Sequence, residues 1–306
     1  MYDLIIIGGG PAGIAAGVYA SRKQLKTLFI TKEWGGQSIV SPDIQNWIGT
    51  PHISGDALAK SFETHLKEYA GDVVTINAGR MVRKVAKTGD TFTVTLDNNE
   101  TAESHAVLIA SGSKRRTLQA TGADAFEHKG LTYCASCDGP LFSGRDVVVV
   151  GGGNAGFETA AQLLAYTKSV TLLHHSDSFK ADPVTVEKVL SHPNMKAITK
   201  AKTIEVKGDK FVNGIVYEDV HGEQHTLDVG GIFVEIGLVP STDIVEGLVE
   251  LDDYKRIKID PWSQKTNVPG IWAAGDCTNV KYHQNNITAG DGVRALEDIY
   301  VTLKAK

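Results

Sequence analysis

Residues 3–7 and 146–150 each carry four consecutive apolar side chains behind a leading Asp, with no polar alternation. That is the pattern of short strands buried on both faces. Each run enters a turn rich in glycine and then a stretch with helical spacing. Ile14, Ala15, Val18, Tyr19 and Ala20 follow the first; Phe157, Ala160, Ala161 and Leu164 follow the second. One strand–turn–helix unit therefore occurs twice, with Gly8 and Gly151 in matching places 143 positions apart.

After the first unit the pattern predicts a strand over 26–31, a loop over 41–55 and a helix over 56–69 on Leu58, Phe62, Leu66 and Tyr69. Alternation then predicts strands at 73–76, 81–85, 92–96 and 105–109, with a turn at Asn98-Asn99. Residues 110–113 end the last of these and lead into a basic linker, Lys114-Arg115-Arg116. After the second unit come a strand at 169–173, a helix opened by Pro183, strands at 203–207 and 214–218, a turn at His221-Gly222 and a buried strand at 231–236. Residues 237–240 read as an exit. Apolar strand character returns at 257–260 and 270–275, and a helix over 288–303 closes the chain on Val293, Leu296, Ile299, Tyr300 and Leu303. The second unit is thus expected to be inserted into the first, whose sheet resumes in the last third.

Composition adds limits more than detail. At 306 residues the chain can bury two cores, and 42% apolar with 22% charged residues is ordinary for a globular protein. A net charge of −5 with scattered Lys and Arg argues against nucleic-acid binding. No apolar run is long enough to span a bilayer, and the first strand begins at residue 3 without a signal-peptide pattern. Three cysteines cannot make a stabilising framework, so a reducing cytoplasm is the expected compartment.

The chemistry lies in the turns. Gly8, Gly10 and Gly13, with Pro11 and Ala12 between them, have the G-x-G-x-x-G spacing in the required strand–turn–helix setting; so do Gly151, Gly153 and Gly156, with Asn154 between. Such a turn brings bare backbone and a helix N-terminus to a pyrophosphate. One match is weak evidence and two in register are strong. The expected fold is α/β, with two Rossmann-like dinucleotide-binding domains (three-layer ββα), the second inserted into the first. Their ranges are 1–114, 115–246 and 247–306, the last returning to the first domain.

Glu33 follows the second strand, where an acid can bind ribose hydroxyls or be a lone surface charge. Gly35-Gly36-Gln37 can flank a planar heterocycle or make a simple turn. Asp276, after Gly275 at a strand's carboxyl end, can reach a ligand hydroxyl. His174, His175 and Lys180 occupy the second ribose-reading place, unless the histidines are only strand-end residues. Cys134 and Cys137 flank two residues in a stretch suited to a helix start, which lowers a thiol pKa. A redox pair with Asp138 as proton donor is one reading, and half of a zinc site is the other. The only further cysteine is the distant Cys277, and the flanking fingerprints favour redox over a metal.

These motifs carry a resemblance. The chain resembles low-molecular-weight thioredoxin reductases over its full length. It is still more similar to the reductase part of the flavoprotein subunit of alkyl hydroperoxide reductase, without that subunit's N-terminal thioredoxin-like domain. Cys134-Ala-Ser-Cys137-Asp138-Gly139-Pro140-Leu-Phe142 and Ala274-Gly275-Asp276-Cys277 are the most specific stretches, joined by 34–37, 179–182, 231–237, 266–278 and 282–284. The resemblance implies FAD on Gly8, Gly10, Pro11, Ala12 and Gly13, with Glu33 near its adenosine. Gly36, Gln37, Asn46, Gly112, Gly275, Asp276 and Gln284 would lie along the rest of that cofactor. NADH or NADPH would lie on Gly151, Gly153, Asn154, Gly156, His174, His175 and Lys180.

The resemblance also implies that Cys137 faces the flavin, that Cys134 attacks the partner's disulfide, and that Asp138 is the acid–base residue. The partner would be a thioredoxin-like or glutaredoxin-like protein, the assembly a homodimer, and the hinges near 112–116 and 245–248. Two departures concern the electron donor. Reductases that use NADPH carry an arginine pair where His175-Ser176 stands and a third arginine at Lys180; NADH-using relatives carry a Glu at His174. The leading expectation is an FAD-dependent disulfide reductase fed by NAD(P)H. The alternatives are a ferredoxin-dependent reductase with a vestigial nucleotide site, and a flavin redox sensor without steady turnover.

Overall fold

Tyr2–Ile7 sits inside a parallel arrangement because both of its faces are apolar: Leu4 and Ile6 point into one core, Ile5 and Ile7 into another. Thr27–Thr31 lies on one side, with Leu28 opposite Ile5, and Thr101–Ile109 on the other, with Val107 opposite Ile5. Val74–Ala78 extends the sheet beyond Thr27–Thr31; Thr91–Leu96 and Val82–Thr88 continue it antiparallel from Thr101–Ile109. Ile271–Ala273 adds to Thr101–Ile109, completing seven strands. Helices Pro11–Arg22, Gly55–Ala70 and Asn285–Lys304 supply the core on one face. The antiparallel strands and the segment with Val245, Val249 and Ile257 supply the other. This is a sheet layer between helices and further β structure.

The computed structural model describes residues 1–41 and 43–304; Pro42 of the expected 41–55 loop and the last two positions of the expected 247–306 segment lie outside the described residues. Two units result: Met1–Lys114 with Val239–Lys306, and Arg115–Leu238. The second repeats the plan of the first. Its sheet runs Met195–Ile198, Ser169–Leu173, Asp146–Val150, Gly231–Val234, Leu131–Thr132, all parallel. Helices Asn154–Leu163 and Pro183–Leu190 cover one face, and a three-stranded antiparallel sheet (Lys202–Gly208, Val212–Glu218, Gln224–Asp228) lies against the other core. The fold is α/β with two Rossmann-like domains, one inserted in the other.

Several boundaries differ from the sequence pattern. The inserted unit ends at Leu238, ahead of the expected 246 and of a hinge at 245–248. The reason is burial: Val245 is 1% exposed and packs with Val82 and Val85 in the first unit's core. Residues 257–260 form no strand; Ile257 alone bridges Leu251 and Thr278. Met195–Ile198 and Gln224–Asp228 do form strands, although their mixed polarity hides them from a periodicity reading. No helix among the described residues is long and apolar enough to cross a membrane.

Candidate active site

The cysteine pair is set by the sheet. Leu131–Thr132 is the edge strand of the second unit, and the chain leaves it straight into the one-turn helix Ala135–Asp138, with Cys134 at its N-cap. The Cys134 sulfur accepts a hydrogen bond from the Cys137 N–H at 3.2 Å, and the two cysteines are joined as a disulfide with Cα atoms 5.3 Å apart. Both remain partly exposed. A sulfur held at a helix start by a backbone N–H is stabilised as a thiolate once the bond is opened.

Asp138 closes that turn. Burial raises its carboxyl above the usual range, while a hydrogen bond from the Thr132 hydroxyl and the charges of His128 and Arg115 work the other way. Its Oδ1 is buried and has no partner among the described residues. A carboxyl whose burial favours the protonated form, beside a disulfide, is suited to donate to a departing thiolate. Cys277, in the first unit, is 0% exposed, and burial pushes its thiol up to about 11, which leaves it inert to exchange.

The second fingerprint has the geometry of an anion cradle. Gly151 sits at φ +130°, a conformation that side chains resist, and turns the chain from strand to helix. A Cβ on Gly156 would strike the Gly151 carbonyl oxygen, whereas one on Gly153 would meet nothing within 4 Å. Open space at Gly153 lies directly before the N-terminus of Asn154–Leu163, so a pyrophosphate fits there. Asn154 accepts from the Asp182 N–H through Oδ1 at 2.8 Å, and the Lys180 N–H donates to the Gly152 carbonyl at 2.9 Å. Those two bonds hold Lys180 beside the cradle. His175 is exposed; His174 is not. At 3% exposure the His174 ring lies under Gly152, with Nε2–H donating to the Ser178 carbonyl at 3.0 Å and a bare Nδ1 buried. Burial lowers its pKa, so it packs as a neutral ring.

In the first unit the same turn recurs. Gly8 has φ +124°, and a Cβ on Gly13 would strike the Gly8 carbonyl oxygen. Gly10 precedes Pro11 at the start of Pro11–Arg22, with Ala12 in the first turn. The Gly35 N–H donates to the Gly9 carbonyl at 2.9 Å, which lays 34–37 against the cradle. Glu33 is exposed just beyond, its carbonyl held by the Thr31 hydroxyl at 2.5 Å. Gln37 Nε2 donates to Ser113 Oγ at 3.1 Å and to Asp276 Oδ2 at 3.5 Å, and Asn46 Nδ2 donates to Gln284 Oε1 at 3.2 Å. Residues more than two hundred positions apart in sequence thus share one polar rim. Asp276 follows Gly275 just past Ile271–Ala273, and Gly112 accepts from the Ser241 N–H at 2.9 Å.

Sequence reading missed Thr132, Thr159 and Glu235. Glu235 was legible as an acid in the otherwise apolar run 231–236. It follows the strand Gly231–Val234, accepts from the Thr159 hydroxyl at 2.9 Å, and is pushed up by burial to about 7, against the pull of Arg115 and Thr159. Its native pKa lies above 4.5, so the unfolded chain releases this proton first as pH rises. The contribution of Glu235 to stability therefore falls between about 4.5 and 7. Glu235→Gln is expected to gain up to on the order of 3 kcal/mol in urea unfolding at pH 8 and nothing near pH 4.5. An equal effect at both pH values would contradict the assignment.

Comparison with known proteins gives a consistent result. Residues 2–291 match the family model described as pyridine nucleotide-disulphide oxidoreductase. The chain is 40% identical over 295 residues to a protein named NADH dehydrogenase from Ferdinandcohnia aciditolerans, covering 96% of this chain and 56% of that protein. It is 40% identical over 296 residues to an Escherichia coli protein named as a subunit of alkyl hydroperoxide reductase, covering 96% and 57%. The chain thus spans a little over half the length of the curated relatives it matches. A crystal structure of thioredoxin reductase from Streptococcus pyogenes superimposes with a TM-score of 0.91 at 32% identity, covering 100% of this chain and 99% of that one.

Proposed function

Since this chain belongs to the pyridine nucleotide-disulphide oxidoreductase family, we propose that it carries electrons from NADH or NADPH, by way of FAD and the Cys134–Cys137 pair, to the disulfide of a thioredoxin-like or glutaredoxin-like protein. Thioredoxin reductase-type members of the family bind FAD and NAD(P)H. The observation that carries the reading is the pairing of one phosphate cradle per unit with a disulfide at a helix start in the second. FAD, which supplies two-electron chemistry when bound, suits the cradle of Gly8, Gly10, Pro11, Ala12 and Gly13 and the rim of Gly36, Gln37, Asn46, Gln284 and Asp276. NAD(P)H suits Gly151, Gly153, Asn154 and Gly156, with ribose reading by His175 and Lys180.

The protein's own groups do the exchange. In the reduced pair, the Cys134 thiolate attacks one sulfur of the partner's disulfide, forming a mixed disulfide and expelling a thiolate that takes the Asp138 proton. Cys137 then attacks the Cys134 sulfur, which closes the internal disulfide and frees the partner's second thiol. A reducing compartment such as the cytoplasm suits this chemistry. A homodimer is part of the same reading, and the mass in solution tests it. The decisive experiment follows NADH and NADPH oxidation by the purified flavoprotein with oxidised thioredoxin or glutaredoxin. Turnover is expected; none with either nucleotide, or a preparation that takes up no FAD, would sink the reading.

Of the two nucleotides we expect a modest preference for NADH. A 2′-phosphate is gripped by bidentate arginines, and a His with a Lys is a weaker substitute. That lean accords with the name NADH dehydrogenase borne by one relative. His175→Arg combined with Ser176→Arg should raise kcat/KM for NADPH at least about tenfold. An unchanged ratio would remove these positions from ribose reading.

A further inference from the structure

The second unit's sheet reverses its winding at one place. From Asp146–Val150 the chain moves outward through Asn154–Leu163 to Ser169–Leu173 and Met195–Ile198, whereas Gly231–Val234 lies on the opposite side. The crevice between the carboxyl ends of Asp146–Val150 and Gly231–Val234 is therefore the topological switch point, where open α/β sheets take their ligands. Gly151 and Glu235 are its two lips. The Glu235 N–H donates to the Val150 carbonyl at 2.8 Å, and a Cβ on Gly151 would strike the Glu235 carbonyl oxygen. On its other side, pairing of Phe233 with Thr132 puts Glu235 two residues on, level with Cys134.

A dinucleotide whose pyrophosphate rests at the N-terminus of Asn154–Leu163, and whose adenosine turns toward His175, must send its other half across Gly151 toward Glu235. On that half the ribose hydroxyls would lie by the pyrophosphate and the glycine turn, and the carboxamide, at the far edge of the ring, would be the group brought nearest Glu235. It offers an N–H donor, and Glu235 is a partly exposed acid with no opposing cation in hydrogen-bond contact among the described residues and one oxygen bonded by Thr159.

We propose that Glu235, oriented by Thr159, accepts a hydrogen bond from the carboxamide N–H of the nicotinamide ring and so selects for that group. The inference rests on the proposed nucleotide site in this unit. Its test is equilibrium binding by the oxidised holoprotein at pH 8 of NAD+, of thionicotinamide adenine dinucleotide, which keeps the NH2, and of 3-acetylpyridine adenine dinucleotide, which replaces it with a methyl. The wild type is expected to bind the first two about tenfold more tightly than the third. Glu235→Ala should bring that ratio below about twofold while leaving the acetylpyridine analogue's Kd nearly unchanged; Glu235→Gln, which can still accept, should keep part of it; Thr159→Val should lower it. A ratio unmoved in Glu235→Ala, or equal weakening of all three ligands, overturns the proposal while leaving the nucleotide site standing. Failure of the wild type to bind any of the three, or the NADP+ series in their place, overturns both.

Discussion

Cys137→Ser is expected to stop disulfide turnover, by roughly a thousandfold or more, and to accumulate a covalent complex with the oxidised partner protein. Cys134 sits at the N-cap of Ala135–Asp138, where the Cys137 N–H points at its sulfur. That N–H survives the substitution because it is backbone, so the remaining thiol keeps its stabilised thiolate and still attacks. What is lost is the resolving sulfur, so the mixed disulfide persists. Cys134→Ser should lose turnover equally and trap nothing. Intact-mass spectrometry of the two variants, each mixed with oxidised thioredoxin, reads the difference directly. Cys277 does not confuse the result, because burial raises its pKa to about 11 and seals it from solvent. Trapping by the Cys134 variant alone would exchange the two roles.

The parts of this molecule that could be read from sequence are those where one residue type has one physical use. Four apolar residues in a row after Asp3 and again after Asp146 admit little besides a strand buried on both faces, and Ile5 and Val148 are both fully buried. A glycine at a positive φ, or one whose Cβ would strike a carbonyl, is equally hard to replace, which is why Gly8, Gly13, Gly151 and Gly156 mark the cradles. Other features depend on partners that spacing does not name. Val245 falls where the resemblance implied a hinge, yet it fills the first unit's core. His174 reads like a ribose ligand, but packing under Gly152 turns it inward. Glu235 is a single acid in an apolar run until Thr159, from the next helix face, gives its carboxyl a partner. In each case the deciding contact comes from a residue more than twenty positions away.

Adding one methyl group to each unit should separate the two cradles. Gly156→Ala places a Cβ where the Gly151 carbonyl oxygen already lies, so the turn must shift and its N–H groups lose their aim. The variant is expected to retain its flavin spectrum while its Kd for NAD(P)H rises at least about a hundredfold, some 2.7 kcal/mol. After photochemical reduction it should still reduce the partner's disulfide, because Cys134, Cys137 and Asp138 lie on a different strand end. Gly13→Ala makes the same collision with the Gly8 carbonyl in the first unit. It should lose FAD on dilution or gel filtration yet bind NAD(P)H as the wild type does. Each variant keeps the site of the unit that was not altered, so its loss cannot be dismissed as global unfolding, and in Gly156→Ala the working disulfide reports that the second unit is folded as well. Ferredoxin supplies the remaining discrimination. If Gly156→Ala leaves turnover untouched when reduced ferredoxin is the donor, and the wild type draws little from either nucleotide, the second cradle is a relic and electrons enter through the iron–sulfur protein. If instead nucleotide-driven turnover falls with nucleotide affinity and ferredoxin supports none, the cradle at Gly151–Gly156 is the point of entry.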